Sequence, residues 1–416
     1  MVSRRLTTQV CVAGGGPAGM MLGYLLARAG VEVTVLEKHA DFLRDFRGDT
    51  VHPSTMEVMA ELGLLERFLQ RPHDRIEQAF GVIGDRRVNL VDFRFLPVHA
   101  PFIAMMPQWD FLDFLAGEGR AFSEFQVIMQ AEAKELLQVD GQVVGLRAAT
   151  PDGELEVETD LVVGADGRRS TVREAAGLEV EDLGAPMDVL WLRLPRRPDD
   201  APAPLGRIDA GRIFVMFPRN DYFQCGYVVA KGETEAIRSA GLEALRADIA
   251  RMAPTVADRV GAIETWDDIK LLTVVVDRLK HWARPGLICI GDAAHAMSPV
   301  GGIGINLAIQ DAVAAANILA EPLTARRLTL ADLNAVQARR EPPTKLIQGV
   351  QVFIQRQIIR QVLAARTSPR PPWPVLLLDR FPRLRRIPAR LLGLGPRPEH
   401  VRTPDVHAAV SPAAMG

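Results

Sequence analysis

Cysteine, tyrosine and net charge are all scarce in this chain of 416 residues. Its three cysteines, Cys11, Cys225 and Cys289, lie in apolar, strand-like runs. They read as buried thiols of a reducing compartment, so neither a disulfide framework nor a metal site is expected. The formal net charge is −2, which offers nucleic acid no electrostatic footprint. Long hydrophobic runs are missing too: no stretch supplies the roughly 20 uninterrupted apolar residues of a spanning helix. Arg4 and Arg5 before the apolar run Val10 to Ala27 mimic a signal peptide, but Gly14, Gly15, Gly16, Pro17 and Gly19 would break an export helix early. A cytoplasmic location is therefore expected. There is no internal repeat and no low-complexity tract. What is plentiful is hydrophobic surface, 48% of residues, enough for two or three domains.

Residues 8–13 (TQVCVA) read as a buried strand, 17–29 as a helix, and 32–36 as the next parallel strand, ending in Glu37. Ser54 to Leu65 read as a second helix. Residues 127–163 hold short strands with turns at Asp140-Gly141 and Asp152-Gly153, which predicts a β-meander. Residues 187–194, 212–217 and 224–231 read as strands of a second sheet, with the proline- and charge-rich segment Pro195 to Gly206 as an exposed loop. A short strand (287–290), a long helix (304–320) and a helical, then proline- and arginine-rich tail complete the chain.

Three motifs carry chemistry. The first is Gly14-x-Gly16-x-x-Gly19 with Glu37, which lies 18 positions after Gly19. Glycine permits the tight turn, then close approach of backbone to a pyrophosphate, then close packing of helix on strand. The helix N-terminus faces the phosphate charge, and Glu37 is placed to accept hydrogen bonds from a ribose. The second is Gly164-Ala165-Asp166-Gly167 with Ser170 and Arg173. The third is Gly291-Asp292-Ala293-Ala294-His295, followed by Pro299, Gly301, Gly302, Gly304 and Asn306.

In this order and spacing, over about residues 7–325, the trio resembles the group A flavoprotein monooxygenases, the family of para-hydroxybenzoate hydroxylase. The resemblance implies an α/β fold: a Rossmann-like FAD/NAD(P)-binding domain (1–75, 105–180 and 281–345) interrupted by a mixed β-sheet substrate domain (76–104 and 181–280). A helical, basic C-terminal region (346–416) follows. The cofactors implied are FAD and NAD(P)H, with O2 and a small molecule as substrates. NAD(P)H reduces the flavin, O2 gives a flavin hydroperoxide, and its distal oxygen goes to substrate.

The family pattern places Ala18 on the FAD pyrophosphate, Glu37 on a ribose, and Arg47 and Gln108 beside the cofactor. Asp166 falls in a motif serving both FAD and NAD(P)H, and Asp292 matches the acid on the ribityl chain. Ile305 and Asn306 match backbone positions near the ring. Gly301, Gly302 and Gly304 would bare the backbone there, and the helix N-terminus would face the negative charge of the reduced ring. Pro299 would sit beside the reacting oxygen, or serve only as a helix-entry proline. Arg47 and Pro299 are the catalytic candidates.

Trp191, Arg193, Phe217 and Tyr227 lie on strands that roof the substrate in this family. With Tyr24, Tyr222 and Tyr227 as the only tyrosines, the paired phenols that activate some phenolic substrates are not evident. The substrate expected is a neutral or weakly polar, lipophilic aromatic or polycyclic molecule, stacked on Trp191. His295 is read as a structural partner of nearby backbone, and His52 as either core or active-site lining. The thioredoxin-like C-terminal domain of larger family members is not expected.

The tail carries Arg356, Arg360, Arg366, Arg370, Arg380, Arg383, Arg385, Arg386, Arg390, Arg397 and Arg402 against Asp379, Glu399 and Asp405. It reads either as a solvated helix packed on the FAD domain or as a peripheral contact with an anionic membrane. Nothing in the sequence sets an oligomeric state. Two rival functions share the scaffold: a flavin-dependent reductase of isoprenoid double bonds, and a non-catalytic FAD-binding protein. A flavin halogenase is disfavoured, because no W-x-W-x-I-P motif is present.

Overall fold

The computed structural model describes residues 4–43, 50–200, 205–219 and 221–408. The chain opens with β1 (Arg4–Ala13), α1 (Pro17–Arg28) and β2 (Val33–Glu37). Helix α2 (Pro53–Glu61) follows; Gly63, at φ +69°, ends the predicted longer helix before a separate turn at Leu65–Phe68. After an excursion through β3 (Gln78–Ile83) and β4 (Arg86–Asp92), the chain returns by α3 (Gln108–Gly119) to β5 (Phe125–Met129). The meander is β6 (Glu132–Val139), β7 (Gln142–Thr150) and β8 (Gly153–Gly164).

A second excursion comprises β9 (Met187–Pro195), β10 (Gly206–Asp209), β11 (Arg212–Pro218), β12 (Tyr222–Ala230), α4 (Leu242–Met252) and β13 (Lys270–Leu272). The chain comes back as β14 (Leu287–Cys289), then α5 (Gly304–Thr324), α6 (Leu330–Ile354), α7 (Trp373–Arg380) and α8 (Arg386–Gly393).

The first sheet runs β14-β8-β1-β2-β5, all parallel, with β7 and β6 added antiparallel beside β8. Burial follows position. The first half of β8 alternates between exposed and buried, whereas its last four residues, between parallel neighbours, are all buried. Helices α1 and α5 cover this sheet and are buried along most of their length. Val300–Thr324 has the length and composition of a spanning segment, yet 72% of its apolar window is buried inside the fold, as in a core helix.

The second sheet runs β13-β9-β12-β11-β10-β3-β4. Its two faces differ, because successive side chains alternate. Leu190, Leu192, Leu194, Phe214, Met216 and Tyr227 pack under α4 in one core. Val189, Trp191, Ile213 and Val228 take the opposite face, together with Val300, Val352 near the end of α6, and Ile359 and Val362 beyond it. The tail touches residues of the expected FAD domain, as one sequence reading had it, with the Leu392 carbonyl 2.9 Å from His52 Nδ1 and Asp405 3.3 Å from Arg28, but it also packs on the second sheet. Helix α7 docks on β4, where Asp379 accepts from the Asn89 backbone N–H and side-chain amide, both at 3.1 Å. Helix α8 sets Gly393 against Leu96, Pro53 and Phe93.

Candidate active site

Each motif is positioned by a close backbone approach that a side chain would block. Gly14 adopts φ +112°, and a Cβ there would stand 2.4 Å from the Ala165 carbonyl oxygen. A Cβ on Gly19 would stand 2.0 Å from the Gly14 oxygen. Gly16 is different: nothing lies within 4 Å of its Cβ position. The glycine turn is thus pressed against the second motif on one side and open on the other. The Ala165 N–H donates to the Ala13 carbonyl, and the Ile290 N–H to the Gly164 carbonyl. At Gly291 a Cβ would meet Ala18 Cβ at 3.1 Å and Ala308 Cβ at 3.3 Å. All three motifs therefore converge at the C-terminal ends of the parallel strands, the usual ligand crevice of such sheets.

Glu37 is buried at the end of β2; one carboxylate oxygen accepts the Gly15 N–H at 3.1 Å and the other the His39 N–H at 2.9 Å. Helix α1 has Gly16 as N-cap, no side-chain cap and Pro17 in its first turn, so its first N–H groups are left to a ligand. Asp292 is half-buried in the turn Gly291–Ala293, directly after the Gly291 that approaches Ala18. Asp166 has one oxygen accepting the Val172 N–H at 3.1 Å, while the other is buried without a partner among the described residues. Burial pushes its carboxyl above the ordinary value, and hydrogen bonds from Ser170 and the Val172 backbone only partly offset this. Gln108 is half-buried in the first turn of α3. The open face at Gly16, the orphaned Asp166 oxygen and the uncapped α1 fit the diphosphate and sugars of FAD.

The resemblance would put the flavin ring at the turn Pro299 to Gly302. Gly301 and Gly302 both take positive φ, 83° and 63°, and Thr50 Oγ1 donates to the Gly302 carbonyl at 2.9 Å. Helix α5 starts directly afterwards with no side-chain cap, so the N–H groups of its first turn, at Gly304, Ile305 and Asn306, have no helical partner. The Asn306 side chain is turned aside, accepting Thr55 Oγ1 at 2.8 Å. Arg47 lies outside the described residues.

The substrate candidates divide between two faces. Trp191 and Phe217 stand together, with ring centroids 6.2 Å apart at 32°. Arg193 is exposed and stacks on the Tyr222 ring at 4.8 Å, so it is not a buried carboxylate anchor. Tyr227 faces the other way, into the core under α4, and its hydroxyl donates to Asp248 at 3.0 Å. Register adds what single strands could not show. Trp191 pairs with Gly226, Gly226 with Val215, Val215 with Gly206, and Gly206 with Gly81. Three of the five positions in this row lack a side chain, and at Gly226 the space is taken up by Val215, Val189 and Trp191, whose atoms would stand 2.9, 3.2 and 3.3 Å from a Cβ, so the Trp191 ring lies down over the glycine.

Two groups were missed in the sequence. Gln348, Gln351 and Gln355, all buried, line one face of α6 and the π-turn after it. Gln348 donates to the Asp277 and Ala296 carbonyls, Gln351 to those of Ser298 and Val300, and Gln355 to Ser298 Oγ at 2.6 Å. They fix the segment that leads to the turn Pro299 to Gly302. Three amides at helical spacing in a core helix were the available signal. The second group centres on Asp311, which accepts the Gly291 N–H at 3.0 Å and lies 2.5 Å from His295 Nε2 and 3.1 Å from Arg340 Nε. His295 is thus structural, as read, but its partner is a carboxylate and not backbone. His52 is fully buried, with Nδ1 2.9 Å from the Leu392 carbonyl. Burial pushes its imidazole down to about 4, the Leu392 and Gly302 carbonyls only partly offsetting this. All three cysteines are buried and unpaired, as expected, and burial raises their thiols.

A family model described as an FAD binding domain matches residues 7–348. The chain belongs to this family, the group A flavoprotein monooxygenases. Within the family, a 6-methylpretetramide 4-monooxygenase of Streptomyces rimosus is 34% identical over 418 aligned positions, covering 98% of this chain and 97% of that protein. A 12-dehydrotetracycline 5-monooxygenase/anhydrotetracycline 6-monooxygenase of Streptomyces rimosus subsp. rimosus is 30% identical over 318 positions, covering 73% of this chain but 61% of that longer protein. The solved p-nitrophenol 4-monooxygenase of Pseudomonas putida shares the fold, with TM-score 0.73 and 19% identity, over 95% of this chain and 100% of its own.

Proposed function

We propose that this protein uses NAD(P)H and O2 to hydroxylate or epoxidise a lipophilic, flat polycyclic aromatic molecule. The observation that carries the reading is the apolar sheet face around Trp191, whose ring stands beside that of Phe217. Strands lie about 4.8 Å apart, so this seven-stranded sheet is wide enough for several fused rings. Its apolar face joins the same cluster as Val300, in the flavin turn. The relatives named for a pretetramide and for tetracyclines support a polycyclic substrate.

Bound FAD would supply the reduction of O2 and the transfer of one oxygen atom. The chain's own part is placement. Ala18 and the N-terminus of α1 would hold the pyrophosphate, Glu37 a ribose and Asp292 the ribityl hydroxyls, with Gln108 and Arg47 beside the cofactor. Gly301, Gly302 and Gly304 bare the backbone for the ring, and the N-terminus of α5, at Ile305 and Asn306, faces its negative charge. Pro299 borders the reacting side. Trp191 and Phe217 orient the substrate while the apolar face excludes water. Arg193 sits at the rim, and Tyr227 acts only through the core behind the sheet.

A panel of polycyclic phenols and smaller aromatics tests this. The expected result is stimulated NAD(P)H oxidation with product heavier by one oxygen, best with the polycycles. Trp191→Ala should lower coupling, the fraction of reductant recovered as product; unchanged coupling and affinity would remove Trp191 from the site. Flavin reduction without oxygen insertion would favour the double-bond reductase, and no reduction at all a non-catalytic role.

A further inference from the structure

Between Pro342 and Pro398 the chain carries eleven lysines and arginines against the single acid Asp379, a net of +10 in a protein whose whole net charge is −2. That one acid is already engaged, by Asn89 and by Arg86 at 3.5 Å. Asp379 also fixes which side of α7 faces the body of the protein. At 100° per residue, Trp373, Leu377 and Phe381 fall 120–200° away from it, on the outward side. They are 74%, 40% and 51% exposed. Helix α8 repeats the arrangement: Ala389 and Gly393 are buried, whereas Ile387, on the far side of the helix, is 67% exposed.

The surface is therefore mixed by construction, with apolar side chains standing out among cations. Arg380, Arg383, Arg386 and Arg390 are all exposed around them. Arg386 lies 4.3 Å over the ring of Phe95, itself half exposed, which extends the patch from α8 onto the neighbouring loop. Protruding apolar residues ringed by arginines match the interface of a bilayer, where rings enter the headgroup region and guanidinium groups meet lipid phosphates. A second copy of this chain is a poor occupant, because the face would set Arg380, Arg383, Arg386 and Arg390 against the same four arginines.

We infer that α7 and α8 dock the protein on an anionic lipid surface as a peripheral, non-spanning contact. The full chain should sediment with phosphatidylcholine vesicles that contain phosphatidylglycerol, not with phosphatidylcholine alone, and high salt should release it. Arg383→Glu/Arg386→Glu and, separately, Phe381→Ser/Ile387→Ser should each weaken vesicle binding at least tenfold. All four side chains are on the surface, so unfolding midpoint and substrate-free NAD(P)H oxidation should not change in either variant. The inference fails if phosphatidylglycerol does not promote sedimentation, or if both variants bind like the parent. It fails equally if the parent ignores the vesicles but binds an acidic protein or RNA through these arginines.

Discussion

Replacing Arg340 by Met removes one cation from a buried network while keeping much of its packing volume. Arg340 is 1% exposed; its Nε lies 3.1 Å from Asp311, and one terminal nitrogen 3.2 Å from both Glu399 and the Arg397 carbonyl. Breaking a buried pair from one side costs about 3–5 kcal/mol, because the remaining charge is left desolvated. The Glu399 carboxylate keeps two hydrogen bonds from Arg339, and its backbone N–H still donates to Gln310 Oε1, so the penalty falls mainly on Asp311 and should lie near the lower end, about 3 kcal/mol. Urea denaturation followed by tryptophan fluorescence would read it as a lower midpoint at unchanged slope. Asp311 also holds the Gly291 N–H, next to Asp292, so FAD should dissociate faster from the variant.

Acid provides an internal control. Burial would raise the Asp311 carboxyl, but His295 and Arg340 outweigh it and hold it below 3.8. In the parent this contribution is complete above the unfolded value and is lost only as pH falls through the lower folded one. Without Arg340 the carboxyl protonates more readily, so the deficit of the variant should narrow on acidification from neutral pH. A loss under about 1 kcal/mol, with FAD release unchanged, would place the pair among surface-like bridges and refute the argument.

Three further outcomes follow from particular contacts. His52, held near 4 when folded and near 6.5 when unfolded, takes up a proton on unfolding between those values. Stability should therefore fall on the order of 3 kcal/mol from pH 6.5 to 4 through this residue, and His52→Gln should flatten that part of the stability–pH curve. Gly19→Ala sets a Cβ against the Gly14 oxygen; overpacking of this kind costs about 1–3 kcal/mol or more, and a variant that keeps its yellow cofactor through gel filtration would count against the turn. Gly226→Val would push the Trp191 ring aside, since even a Cβ would lie 2.9 Å from Val215 and 3.3 Å from Trp191; turnover of polycycles should drop at least tenfold while small aromatics are spared, and equal loss for both would argue against Trp191 as the substrate's seat.

The sequence alone carried the cofactor end of the molecule. Strand, glycine turn and helix are adjacent in the chain, and at Gly14 and Gly302 the backbone takes a positive φ that favours glycine. Alternation along β9 likewise put Trp191 and Arg193 on one face before any partner strand was known. What tertiary structure decided is every relation between distant segments. Gly81, Gly206 and Gly226 are unremarked residues of three different strands, and only the register of the sheet lines them up. The same pairing turned Tyr227 into the core under α4. Asp311, His295, Arg340 and Glu399 span more than a hundred residues and meet because α5, α6 and the tail pack together. Asp379 became the anchor of α7 only where β4 offered it an N–H and an amide. The physical reason is one throughout: backbone conformation and side-chain alternation are local properties of the chain, whereas a partner, a face or a neighbouring strand is set by packing across it.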